Sequence, residues 1–272
     1  MTPPDGRPHS DIPAEDLNFA GSLSAPFFWV VRDGDNVDHF KNGTVSFVDT
    51  GSSVFAVTAC HVIDECLADA KLPGFVQCMI GGDGTTLYFR LEDRLIDKHP
   101  KIDLATMRVT REEVVGIGCS VLAGIQLSWP PPLSQVDYAV AFCGYPGLSR
   151  KLMAPRTLMF GRVALGSNVS SSHESCIKML VERDQMYRCL GKGELAENYN
   201  FGGMSGGPVV ALAERGSIRG WIAAGVIFDG PNPGDDPSQD SIAGFELFSA
   251  RPIHFVKKDG QLDVDRWENL HP

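Results

Sequence analysis

The chain is predicted to be all-β, built as two lobes of about six strands each that close as barrels or pack as sandwiches. Three observations predict this. Apolar runs of strand length recur about eleven times between residues 26 and 248. Turn words such as KNGT, TGSS, GGDG and GPNPGDDPSQD separate them. The 29 Gly and 18 Pro among 272 residues punctuate the chain too often for long helices.

Taken in order, residues 1–20 are rich in Pro and Asp and read as a flexible N-terminal tail. The first lobe, 21–127, carries PFFWVV (26–31), GTVSFV (43–48), SVFAVTA (53–59), TLYFRL (86–91) and DLATMRV (103–109). A helical period is evident only in HVIDECLADAKL, beginning at His61, and weakly in DVDRWENL near the C-terminus. SWPPPLSQ (128–135) breaks the series, because three consecutive prolines cannot donate to a ladder, so it reads as the linker between lobes. The second lobe, 136–272, holds DYAVAF, TLMFGRVAL, IKMLVE, PVVALA, GWIAAGVIF and SIAGFELF, with a short C-terminal tail.

The formal net charge of -10 argues against a nucleic-acid partner, which needs a basic face, and favours a polypeptide one. The seven cysteines form an odd number, and several lie inside apolar runs, where a free thiol behaves as a small hydrophobe. There is no apolar leader segment and no uninterrupted apolar stretch of membrane-spanning length. The expectation is a cytoplasmic protein in a reducing compartment, with no membrane partner.

Candidate chemistry centres on NFGGMSGGPVV, Asn200 to Val210, where Ser205 stands among four glycines. A serine hydroxyl becomes nucleophilic only when a base takes its proton, and that base works best when a carboxylate fixes its tautomer. Of the seven histidines, His61 in FAVTACHVID sits where a strand gives way to a helical turn. Asp103 in HPKIDLATMRV stands at the mouth of an apolar strand, as Asp137 does in VDYAVAF, while His99 reads as a turn residue before Pro100. Cys60 adjoins His61, but no second cysteine pair at metal spacing accompanies it, so packing is the expected role and neither metal nor cofactor is expected.

The words TACHV, DLATMRV and GGMSGGP, in that order, resemble the histidine, aspartate and serine boxes of the chymotrypsin/trypsin-like serine proteases. The resemblance spans residues 25–258 and is nearer the shorter, bacterial-type branch of that family. It implies two six-stranded antiparallel β-barrels with the active site in the cleft between them. It implies Ser205 as nucleophile, His61 as general base, and Asp103 rather than Asp137 as its orienter. The oxyanion hole would be the backbone N–H groups of Gly203 and Ser205. The walls of the substrate pocket would come from Tyr199 and Asn200, Ala224 and Gly225, and Gly244 to Glu246, with Glu246 placed to favour Arg or Lys before the scissile bond. An acidic loop carrying Asp229, Asp235, Asp236 and Asp240 would lie near its mouth. Met204 departs from the many secreted members that place an acidic residue there to pair with a freshly cut N-terminus, so no zymogen switch of that type is expected. That leaves room for a regulatory protein partner.

Two other readings compete with the serine endopeptidase. GMSGG satisfies the G-x-S-x-G elbow of α/β-hydrolase esterases, which requires a helix directly after the serine and a histidine late in the chain, His254 or His271. A protease-like module that holds a peptide without cutting it is the other, either inactive or in need of a partner to become active.

Overall fold

The computed structural model describes residues 12–34, 38–82, 85–123, 129–154, 157–182, 187–188, 199–215, 218–231 and 245–270. Strands account for 50% of it and helices for 20%, which bears out a mainly β chain. In order the elements are α1 (Ala14–Ser22), β1 (Ser24–Arg32), β2 (Asp38–Asp49), β3 (Val54–Thr58), α2 (Cys60–Asp69), β4 (Phe75–Ile80), β5 (Leu87–Phe89) and α3 (Leu91–Arg94). Next come β6 (Leu95–His99), β7 (Leu104–Arg108), α4 (Arg111–Gly116), β8 (Leu122–Ala123), β9 (Ala139–Gly144), β10 (Arg150–Ala154), β11 (Thr157–Phe160) and β12 (Val163–His173). The chain then forms β13 (Cys176–Glu182), β14 (Tyr187–Arg188), β15 (Pro208–Arg215), β16 (Ile218–Asp229), β17 (Phe245–Pro252) and α5 (Val264–Leu270).

The expected pair of closed barrels is found only in part. The C-terminal strands run β12-β9-β15-β16-β17-β13, and β13 pairs back with β12, closing a six-strand barrel with β14 appended. The N-terminal strands run β5-β4-β1-β2-β3-β7-β6 in a curled sheet that makes half a barrel, with β8 joining β2 in parallel. Among the described residues no ladder joins the end strands β5 and β6. β5 has only three residues before the chain turns into α3, too few to carry a closing ladder.

β1 shows why its continuous apolar run is a strand. Phe27 and Trp29 enter the core of the curled sheet beside Phe47 and Ile63, while Phe28 and Val30 pack on the other face with Met79. The alternation of side chains along a strand makes both faces apolar because both are covered. A second core fills the barrel around Phe142, Leu165, Met179 and Phe248. A third forms the seam, joining Phe55, Val57 and Leu104 of the sheet to Cys143, Val210 and Val226 of the barrel.

Residues 14–20, expected to belong to a tail, are part of a helix. α1 occupies Ala14–Ser22, buries Leu17 and Ala20 in the seam, and is pinned to β16 because Trp221 Nε1 donates to Asp16 Oδ1 at 2.9 Å. The apolar spacing of Leu17, Ala20 and Gly21 is helical, and the Pro and Asp content of the preceding residues hid it. In the SWPPPLSQ segment, Trp129 is buried and donates its indole N–H to the Val256 carbonyl at 2.7 Å. No helix among the described residues is long and apolar enough to cross a membrane.

Candidate active site

β3 is a buried apolar strand that ends at Thr58, and α2 begins two residues later, so His61 falls in the first turn of a helix at the edge of the seam. α2 is fixed at its far end by Asp69, which accepts the Trp29 indole N–H at 2.7 Å and pairs with Lys41 at 2.9 Å. The first N–H groups of a helix lack intrahelical acceptors. Here Asp103 supplies one: its Oδ1 accepts the His61 backbone N–H at 3.0 Å. The same carboxylate holds the ring, with His61 Nδ1 at 2.9 Å from Oδ2 and 3.2 Å from Oδ1. A carboxylate beside Nδ1 keeps the proton there and leaves Nε2 as the basic nitrogen.

Asp103 reaches this position through an uncommon backbone. Its φ is 55°, in the left-handed region that Asp tolerates better than most residues, at a cost on the order of 1 kcal/mol. The β6–β7 turn enforces it. The Asp103 N–H donates to the His99 carbonyl at 2.9 Å, and the Ile102 N–H to His99 Nδ1 at 3.1 Å. Asp137 also has positive φ, but it precedes β9 of the barrel, and its backbone N–H donates to Val169. Asp103, not Asp137, meets His61.

Ser205 stands on a loop that the curled sheet grips from the opposite side of the seam. Thr44 of β2 donates its N–H to the Ser205 carbonyl at 2.9 Å and its Oγ1 to the Gly203 carbonyl at 2.7 Å; Ser46 Oγ donates to the Gly206 carbonyl at 2.6 Å. Thr44 Oγ1 in turn accepts the Tyr145 N–H at 3.0 Å. Two glycines here are required by geometry. Gly203 has φ 103°, and a Cβ on it would stand 2.7 Å from the Tyr145 carbonyl oxygen. Gly206 has φ 96°, and a Cβ there would stand 1.8 Å from the Thr44 carbonyl oxygen.

The outcome of this folding is selective. The N–H groups of Met204, Gly206 and Gly207 donate to Phe201, Ile227 and Met204 carbonyls, while those of Gly203 and Ser205 have no acceptor among the described residues. Ser205 and His61 line the same cleft, of about 280 Å³, with Phe201, Met204, Phe228 and Phe248 among its other walls. Among the described residues no hydrogen bond joins Ser205 to His61.

The hydrogen bond with Asp103 raises the His61 pKa above the ordinary histidine value, against the opposing effect of burial, and the charges of Asp103, Glu65 and Asp229 raise it further. Cys60 beside it is different in kind: burial and Asp64 push its thiol up to about 12, which removes it as a thiolate nucleophile near neutral pH. Among the described residues, no three His, Cys, Asp or Glu side chains gather as a metal site.

Of the residues expected to wall a substrate pocket, the six that are described, Tyr199, Asn200, Ala224, Gly225, Phe245 and Glu246, do not line this cleft. Tyr199 is buried against Phe201, with its hydroxyl 2.5 Å from Ser149 Oγ. Asn200 accepts the Gly202 N–H at 2.6 Å and so shapes the serine loop. Ala224 is buried in the barrel core, and Gly225 lies close to the Arg251 backbone. Glu246 is 3% exposed on β17, opposite Val181, and not at the cleft surface. Those positions follow from a likeness of sequence words, which fixes a strand but not which side chain along it reaches the cleft. Of the acidic loop, Asp229 lines the cleft. Gly244, Asp235, Asp236 and Asp240 lie outside the described residues, as do His9, His271 and Cys189.

Residues that the sequence left unremarked also contribute. Thr44 is a polar residue inside an apolar strand, and Phe228 and Phe248 are aromatic residues in strands otherwise read as core. After the serine loop the chain enters β15, not a helix, so the esterase elbow has no structural counterpart. No family model matches the chain, and no curated protein matches it.

Proposed function

We propose that this chain is a serine endopeptidase of chymotrypsin-like architecture, the curled sheet and the closed barrel serving as its two lobes and the cleft at the seam as its active site. The observation that carries this reading is the meeting in one cleft of a serine and a histidine whose Nδ1 is held by a carboxylate, the serine lying in a loop where the Gly203 and Ser205 N–H groups have no acceptor among the described residues. Ser205 Oγ attacks the peptide carbonyl while His61 Nε2 takes the hydroxyl proton. The tetrahedral oxyanion is held by the Gly203 and Ser205 N–H groups, a contribution worth on the order of 10²–10³ in rate for each donor. The imidazolium then protonates the departing amine as the C–N bond breaks, leaving an acyl-enzyme. Water attacks that ester with His61 again as base, releasing the acid and restoring Ser205.

Met204 supports a hole formed without an N-terminal ion pair. It is 1% exposed in the barrel core, and the loop is held instead by Thr44 and Ser46. The lack of a hydrogen bond between Ser205 and His61 favours a second reading, a peptide-holding module whose triad is completed by substrate or partner. Catalytic hydrogen bonds in unliganded sites are often long, so the enzyme reading stands first.

The cleft also supports a substrate preference different from the basic one implied by Glu246. Its apolar walls are Phe201, Met204, Ile227, Phe228 and Phe248, beside the polar His61, Ser205 and Asp229, and its volume lies just under the roughly 300 Å³ where drug-sized pockets begin, room for one large side chain. The apolar walls favour Phe, Leu or Met before the scissile bond, and Asp229 is the group that would favour Arg or Lys instead. Fluorogenic peptides that differ only at that position test this: kcat/KM for Phe or Leu is expected to exceed that for Arg by about 10-fold or more. A preference for Arg that survives Glu246→Gln contradicts the apolar assignment, and one abolished by Glu246→Gln restores the basic one. Cleavage must vanish in Ser205→Ala for the endopeptidase reading to hold.

A further inference from the structure

We propose that Arg251 is the positioning residue of this site, clamping the Asp103 turn to one wall of the cleft and to the C-terminal helix; the proposal rests on the endopeptidase reading. Arg251 is 6% exposed, near the end of β17. Its Nε donates to the Ile102 carbonyl, and one terminal nitrogen donates to the Ser175 carbonyl. The Ile102 carbonyl belongs to the peptide that sets φ of Asp103. That peptide is therefore held at both ends, its C=O by Arg251 and its N–H by the His99 carbonyl. A left-handed aspartate persists only where its surroundings over-determine it, and this pair of contacts does so.

The guanidinium also meets two aromatic rings. Its carbon lies over both, 4.3 Å from the ring centroid of Phe228 and 4.7 Å from that of Trp267. Phe228 lines the cleft, and Trp267 belongs to α5, whose ring also meets Phe255 of the seam at 5.6 Å. One side chain thus joins the general base's orienter, an apolar wall and the last helix of the chain. Arg suits this place because its planar fork both stacks and donates, which Lys cannot reproduce.

The charge matters as well as the shape. Burial lowers the Arg251 pKa; the charge facing it is Asp103, and the Cys176 thiol beside it, kept protonated by burial, also lies near Lys178 and Asp229. The groups facing His61 are Asp103, Glu65 on α2 and Asp229 on β16, all of which favour imidazolium. A cation behind Asp103 partly offsets that field and keeps the base from being too readily protonated.

The test reads His61 itself, by NMR titration of its imidazole in the full chain without substrate, alongside kcat and KM. In Arg251→Met the His61 midpoint is expected to move to higher pH and kcat to fall about 10- to 100-fold with little change in KM. In Arg251→Lys the midpoint is expected to stay near wild type while kcat still falls, because the charge remains and the fork is lost. A folded Arg251→Met with an unmoved midpoint and unchanged kcat overturns the proposal. If neither Arg251 variant folds, Trp267→Leu decides: a several-fold loss of kcat supports the clamp, and wild-type kcat contradicts it. The NMR arm needs no activity, so a wild type that fails to cleave peptides overturns the endopeptidase reading without deciding the titration result.

Discussion

His61 is where the account is most exposed to a pH measurement. It must be neutral to accept the Ser205 proton, so activity is lost as pH falls through its pKa. The hydrogen bond with Asp103 raises that pKa, so the acid limb of kcat/KM is expected above the ordinary histidine value of about 6.5. The sign for stability is opposite. A raised folded-state pKa contributes stability fully present below the unfolded value, and that contribution fades as pH rises through the folded one. Activity should therefore climb with pH over the same window in which this pair's support of the fold declines. Asp103→Asn is expected to cut kcat by on the order of 10⁴, since an amide no longer enforces the Nδ1–H tautomer. A loss under tenfold, or an acid limb at or below the ordinary histidine value, would sink the assigned base.

At the scale of elements, the serine loop depends on β2. Thr44 Oγ1 donates to Gly203 and accepts from Tyr145, so Thr44→Val leaves two buried polar groups unpaired. The expected destabilisation is about 2–4 kcal/mol, with a larger proportional loss of kcat because the Gly203 N–H loses its aim. Thr110→Ala is the control. It removes the side-chain half of a capping box on α4, a helix outside the cleft, so it should cost about 1 kcal/mol and leave kcat unchanged. Equal effects of the two variants on kcat, after correction for the folded fraction, would deny the loop its dependence on Thr44. This clamp marks the limit of what the sequence discloses. The strands around residues 26–31, 43–48 and 53–59 announce themselves through uninterrupted apolar runs, and the helix after His61 through its spacing. β6 did not, because Leu95–His99 is half-buried throughout and carries two charges. TLMFGRVAL read as one strand but divides between β11 and β12, as Gly161 and Arg162 belong to neither. His61, Asp103 and Ser205 are legible because each stands in a short word that resembles a box of one protease family, and the three words come in that family's order. Thr44 and Arg251 are not, since their partners lie 159 and 149 residues away, and nothing local distinguishes them from strand filler.

Across the whole molecule, the site is a product of the seam. His61 and Asp103 come from the curled sheet, Ser205 from the barrel, and the shared core of Phe55, Val57, Leu104, Cys143, Val210 and Val226 fixes one against the other. Incomplete closure of the first sheet does not disturb this, because β2, β3 and β7, which carry the site, are interior strands with a neighbour on each side. The most direct test of the central claim is labelling of the full chain with a serine-directed fluorophosphonate, followed by mass spectrometry of the labelled peptide. The account predicts one adduct, on Ser205, that is lost in Ser205→Ala and at least a hundredfold slower in His61→Ala. A folded wild type that takes no label, or takes it at the same rate in His61→Ala, would contradict an assembled nucleophile and base.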